Sequence, residues 1–158
     1  MTSRSEKTNV MRLLDAQKIP YSAHAYRPDP AMSGLDIAAL LGEDPDKVFK
    51  TLVTAGKSGQ HYVFVIPVAE ELDLKKAAAA SGEKAVAMIR QKELLPLTGY
   101  IHGGCSPIGM KKPFPTFLDE SAAGIGRIFV SAGRVGFQIE LAPEDLIRTA
   151  GCRLAELI

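Results

Sequence analysis

One lysine stands inside an otherwise apolar run, Val48-Phe49-Lys50-Thr51-Leu52-Val53. Taking an ammonium out of water is costly unless a partner offsets it. A lysine on a core-bound strand therefore either snorkels to solvent or lines a cleft where something anionic docks. Lys50 is the first candidate for function. The second unusual stretch is Gly103-Gly104-Cys105-Ser106-Pro107-Ile108-Gly109, which sets three glycines, a proline and a serine between apolar segments. Paired glycines let a backbone approach a ligand closely and aim amide N–H groups at it. The same composition suits a tight structural turn, and spacing alone leaves both readings open. Cys105 reads either as a nucleophile or as a small apolar filler; no candidate base is fixed beside it.

Other chemistries find less support. His24, His61 and His102 are scattered without H-E-x-x-H or H-x-H spacing, so no metal site is expected. No G-x-x-x-x-G-K occurs, and Gly103-Gly104 lacks the downstream helix and acidic partner of a dinucleotide site. No cofactor is expected. A Ser/His/Asp arrangement is spatial and stays open, although no G-x-S-x-G elbow occurs.

The chain that must position these residues has 158 of them, enough for a single domain over 1–158 that buries roughly 68–70% of its unfolded surface. Cys105 and Cys152 show no zinc or disulfide spacing, which points to a reducing, cytoplasmic compartment. Thr2 to Asp15 is polar and charged, unlike a secretory leader, and no apolar run is long enough to span a membrane. The net charge of +1 argues against broad gripping of a nucleic-acid backbone. Any such contact must be local, at Lys75-Lys76, at Lys84 with Arg90 and Lys92, or at Lys111-Lys112. Each of these also reads as a solvated face.

In order, Ser3-x-x-Glu6 suggests a capping box, and Val10, Leu13 and Leu14 carry a first helix toward Pro20. Tyr21 to Tyr26 alternates as a short strand whose polar face holds Ser22, His24 and Tyr26. Ser33 and Asp36 open a second helix with Ile37, Leu40 and Leu41 as its expected buried stripe and Gly42 as its stop. Asp44-Pro45 predicts one short helical turn before Lys50. Lys50 to Ala55 and Tyr62 to Val68 form a hairpin across Gly56-Lys57-Ser58-Gly59. Asp73 caps a helix closed by Gly82, four alanines giving it a slim face for packing against a sheet. A strand at Ala85 to Ile89 and a helical turn ending before Pro96 follow. Beyond the glycine run come a strand at Thr116 to Leu118, a hairpin of Arg127 to Ser131 with Gly136 to Leu141, and a helix from Pro143 to Gly151, with Cys152 at its end. Paired strands and helices without a regular βαβ period predict an α+β fold with a mixed, strongly twisted sheet.

Five motifs in order carry a resemblance: F-K-T-L at Phe49 to Leu52, D-L-K-K at Asp73 to Lys76, T-G-Y at Thr98 to Tyr100, G-G-C-S-P-I-G-x-K-K at Gly103 to Lys112, and V-S-A-G-x-x-G-x-x-I-E-L at Val130 to Leu141. The chain resembles the YbaK/EbsC family of trans-acting editing proteins, which deacylate mischarged tRNA and are related to the editing domain of bacterial prolyl-tRNA synthetases. The resemblance implies one barrel-like sheet wrapped by helices. It implies that Lys50 is the essential pocket lysine and Thr51 its neighbour, that Gly103 and Gly104 border the aminoacyl ester, and that Ser131 is the serine of the V-S-x-G strand end. Tyr26 matches an aromatic near the pocket mouth, and Ser106 and Gln138 join the expected substrate contacts. Two positions depart from the family: Gln138, which cannot act as a base, stands where many members carry Asp, and Cys105 stands where an apolar residue is common. The implied partners are an aminoacyl-tRNA end and, transiently, prolyl-tRNA synthetase. The implied activity is deacylation of Cys-tRNA(Pro), with Ala-tRNA(Pro) deacylation or non-catalytic tRNA-end binding as alternatives.

Overall fold

Local signals set most element ends in the computed structural model, which describes residues 7–158. Helix α1 (Asn9–Ala16) is capped by Thr8, whose hydroxyl accepts from the Met11 amide. The box expected at Ser3 and Glu6 lies outside the described residues. Strand β1 is Ser22–Ala25. Helix α2 (Gly34–Leu41) has the Ser33/Asp36 capping box and ends on Gly42 in the left-handed region. Asp44 then caps a 3-10 turn at Pro45–Lys47.

Strands β2 (Phe49–Gly56) and β3 (His61–Pro67) form the expected hairpin, and α3 (Leu74–Ser81) runs from its Asp73 cap to Gly82. Strand β4 (Val86–Met88) leads to α4 (Leu94–Thr98). Pro96 lies inside this helix rather than after it, because the amide a proline lacks is one that the first turn leaves unpaired anyway. Strands β5 (Thr116–Asp119), β6 (Ile128–Ser131) and β7 (Phe137–Leu141) precede α5 (Pro143–Ala150). Cys152 does not finish that helix; it opens a further strand, β8 (Cys152–Ala155), parallel to β5.

The strands make a three-stranded antiparallel sheet, β1-β7-β6, and a five-stranded mixed sheet, β4-β2-β3-β5-β8. A single parallel bridge between Val48 and Phe129 joins them. The sheets curl around a shared core, but no pairing among the described residues closes them into a barrel. Inside, Val10, Met11 and Leu14 of α1 meet Val53, Val63, Val65 and Leu118 from one sheet and Ile128, Val130, Ile139 and Leu141 from the other. The reverse face of the large sheet, with Tyr62, Phe64, Ile66 and Phe117, is covered by Ala77, Ala78 and Leu157. Helix α2 departs from its expected stripe: Leu40 is 56% exposed, and Ala38 makes the buried contact with Val48, Val68 and the neighbouring Phe129. Close approach explains the choice of small residues, since a Cβ at Gly34 would lie 2.8 Å from Val68 Cγ1.

Candidate active site

Strand parity decides which side chains share a surface. In β6, Ile128 and Val130 point into the core, so Phe129 and Ser131 point outward. Ser131 pairs with Gln138 on β7, and Gln138 with His24 on β1, so these three lie on one face. The Tyr26 amide extends that ladder by donating to the Gly136 carbonyl at 2.9 Å, which puts Tyr26 on the same face as His24. Val48 bridges Phe129 and packs with it. Two residues on, the parallel register sets Lys50 level with Ser131 and on the same side. Five residues from four strands thus converge at the junction of the two sheets.

The residues differ in how far they are committed. Lys50 is half-buried opposite Ile66 and has no ion pair among the described residues. Ser131 Oγ accepts from the Gly133 amide at 3.2 Å, which leaves its own proton free to donate. His24 Nε2 lies 2.9 Å from Glu140 Oε1, its ring tilted against Phe129 at 5.6 Å. Gln138 is 4% exposed and its Oε1 is sealed without a donor. Against it, from just beyond α2, stands Glu43, both of whose carboxylate oxygens are also sealed without a donor in hydrogen-bonding geometry. Burial pushes the Glu43 carboxyl above its ordinary range; the Gln138 amide and His24 pull it partly back, and Glu140 adds to the rise.

Three of the expected contacts are elsewhere. Thr51 faces away from Lys50, paired with Val65 on the core side, because adjacent strand residues point to opposite faces. Ser106 is fully buried, and its Oγ accepts from the Ile108 amide at 3.2 Å; it braces its own turn. The Gly104 amide does not point at a ligand, since it donates to the Ile101 carbonyl at 3.0 Å. Gly104 is a glycine because the β6–β7 turn presses on it: a Cβ there would sit 3.0 Å from the Val135 nitrogen. Gly103, at φ +87°, gives the loop its turn, and its amide has no backbone acceptor among the described residues. The pair therefore borders the turn just past Ser131, with only Gly103 left as a donor. Cys105 is not activated: burial pushes its thiol up to about 12, the Thr98 side chain offsetting a little.

Sequence reading missed Glu43 and the His24–Glu140 pair. The alternation of β1 had put His24 beside Tyr26, but Glu43, in a Gly-Glu-Asp run after a helix, reads as an ordinary solvated acid. No group of three or more metal-binding side chains occurs among the described residues. A larger hollow between α1 and β1, lined by Lys7, Met11, Asp15 and Tyr21, lies apart from this cleft, and its lysine is already paired with Asp15 at 2.6 Å.

Comparison with known proteins bears on the whole chain. A relative in Enterococcus faecalis named "Putative Cys-tRNA(Pro)/Cys-tRNA(Cys) deacylase EbsC" is 48% identical over 153 residues, 96% of this chain and 93% of that one. A proline–tRNA ligase of Pelobacter propionicus is 28% identical over 97 residues, which is 61% of this chain but 17% of the ligase. Two crystal structures share the fold. One, of a hypothetical protein, has a TM-score of 0.86 at 24% identity, covering 95% of this chain and 99% of the other. The second, described as "a putative trans-editing enzyme for prolyl tRNA synthetase", has a TM-score of 0.79 at 24% identity, covering 95% and 97%. A family model described as the aminoacyl-tRNA editing domain matches residues 29–149, the segment that holds Lys50, Ser131 and Gln138. With that match and the near-full-length relative together, the chain belongs to the aminoacyl-tRNA editing domain family.

Proposed function

We propose that this protein is a trans-acting aminoacyl-tRNA deacylase that clears cysteine from mischarged Cys-tRNA(Pro), and also accepts Cys-tRNA(Cys), in the cytoplasm. The observation that carries the reading is the unpaired, half-buried Lys50 level with Ser131 on a face that also presents Gln138 and Tyr26. An ester of this kind is already reactive. The protein need only position it, hold the ribose or terminal phosphate, and stabilise the developing oxyanion. Lys50 supplies the cation, the Ser131 hydroxyl and the Gly103 amide supply neutral donors, and Tyr26 flanks the entrance.

The substrate brings its own nucleophile. Its thiol attacks the ester carbonyl; a C–S bond forms, the bond from that carbon to the ribose oxygen breaks, and a cyclic thiolactone leaves. The thiol proton ends on the ribose oxygen, so atoms and charge balance. The high thiol range of Cys105 agrees with a reaction that uses no protein thiolate. The name of the relative at 48% identity supports the same substrate.

Prolyl-tRNA synthetase is the proposed transient partner, holding the acceptor stem while this protein inspects the ester. A net charge of +1 suits borrowed rather than intrinsic grip on RNA, and the similarity to a segment of a proline–tRNA ligase points the same way. Incubation with Cys-, Ala- and Pro-tRNA(Pro), with and without the synthetase, tests the reading. Selective release of cysteine is expected. Selective release of alanine would replace it with a water-using deacylase, and equal release of all three would remove the editing role.

A further inference from the structure

An anion sealed in the wrong place is the feature the deacylase chemistry leaves unused. Glu43 follows Gly42 at the carboxyl end of α2, where the helix dipole already disfavours negative charge. Its two oxygens are sealed from solvent and without a donor, a costly state for a carboxylate. Gln138, nine-tenths buried and beside it, leaves Oε1 equally unpartnered. The surroundings add no spare cation: His24 is already 2.9 Å from Glu140, and Lys50 makes no ion pair among the described residues. Glu43 and Glu140 together carry up to −2 against at most +1 from His24. Three acceptors and an excess of negative charge therefore line the wall behind Ser131 and Gln138.

A group with several N–H donors and one positive charge would complete this wall. A metal ion fits poorly, since no cluster of three metal-binding side chains occurs among the described residues. An aminoacyl ester brings the complementary group within two bonds of its reacting carbonyl. We infer that Glu43, with the Gln138 carbonyl oxygen, receives the α-ammonium of the aminoacyl moiety and so selects esters with a free amino group. The inference rests on the deacylase reading for the identity of the ligand. It divides the cleft: Lys50 and Ser131 serve the ester and ribose, while Glu43 and Gln138 hold the opposite end of the amino acid. The glutamate side chain turns about its own bonds to meet the ammonium, and the cost of its burial is relieved when the charges pair.

Binding rather than turnover gives the decisive test, with 3′-(cysteinylamino)-3′-deoxyadenosine, a stable amide analogue of the tRNA end, and its N-acetyl counterpart as probes. Calorimetry should show the wild-type protein preferring the free-amine probe by about tenfold or more. In Glu43→Gln, which keeps shape and removes charge, that preference should collapse, and Glu43→Asp should restore part of it. A preference unchanged in Glu43→Gln would overturn the inference, as would a wild-type protein that binds the two probes equally or binds neither. Turnover of Cys-tRNA(Pro) by wild type, measured in parallel, judges the deacylase reading separately: a protein that discriminates the probes yet cleaves nothing keeps Glu43 in its role and loses the enzyme.

Discussion

The two faces of the small sheet are built from the same three strands and do opposite work. On one face Ile128, Val130, Ile139 and Leu141 are fully buried against α1 and the large sheet. One residue over, the other face carries His24, Phe129, Ser131, Gln138 and Glu140, with two acceptor atoms of Glu43 and one of Gln138 left unpaired. Stability and chemistry are therefore interleaved at single-residue spacing. Each strand is held in place by its inward side chains, and that leaves the outward ones free to be electrostatically unfavourable.

Substitutions can break this division in order of size. Ile139→Ala on the inward face should cost about 2–5 kcal/mol of stability, read by denaturant unfolding, because the fully sealed site leaves a cavity. Its neighbour in function, Lys50→Ala, should lower deacylation roughly 100- to 1,000-fold with the unfolding midpoint unchanged. Wild-type turnover in that variant would remove Lys50 from the mechanism. Gly104→Ala should cost about 1–3 kcal/mol, since its new Cβ meets backbone atoms of Arg134 and Val135 at 3.3 and 3.0 Å. A variant of normal stability but no activity would instead make Gly104 a substrate contact.

Glu43→Gln sharpens the comparison through pH. The folded protein holds the Glu43 proton more tightly than the unfolded chain, whose carboxyl has the model value 4.5. As pH rises from below that value through the folded pKa, the unfolded state loses its proton first, and wild-type stability falls by this contribution. The variant should therefore be the more stable at neutral pH, with the gain vanishing in acid; equal stability at both would mean that Glu43 is solvated in solution. The smallest effect is expected for Cys105→Ser, within about 1 kcal/mol of wild-type stability and twofold of its activity, because the Thr98 side chain next to it can bond a hydroxyl as well as a thiol. A strong loss of activity would revive Cys105 as the nucleophile.

Much of the site was legible one residue at a time and misread in the aggregate. Lys50 stands out because an ammonium in an apolar strand needs a reason, and the structure leaves it unpaired on the cleft face. Motif membership alone, however, carried Thr51, Ser106 and Gly104 into the site. Parity turned Thr51 away, a two-residue side-chain turn claimed Ser106, and the Ile101 carbonyl took the Gly104 amide. Leu40 shows the same limit in the fold: helical spacing names an apolar stripe but not which residue the neighbour touches.

What the sequence determined by itself is whatever acts within a few residues. Helix caps at Ser33 and Asp73, left-handed stops at Gly42, Gly82 and Gly151, and the in-out alternation of each strand all follow from local hydrogen bonding and φ preferences. Only the tertiary structure decided that His24 meets Glu140 across 116 positions, that Val48 bridges Phe129, and that Glu43 closes over Gln138. Those meetings depend on how distant apolar faces bury one another, a global property that no short window of residues encodes.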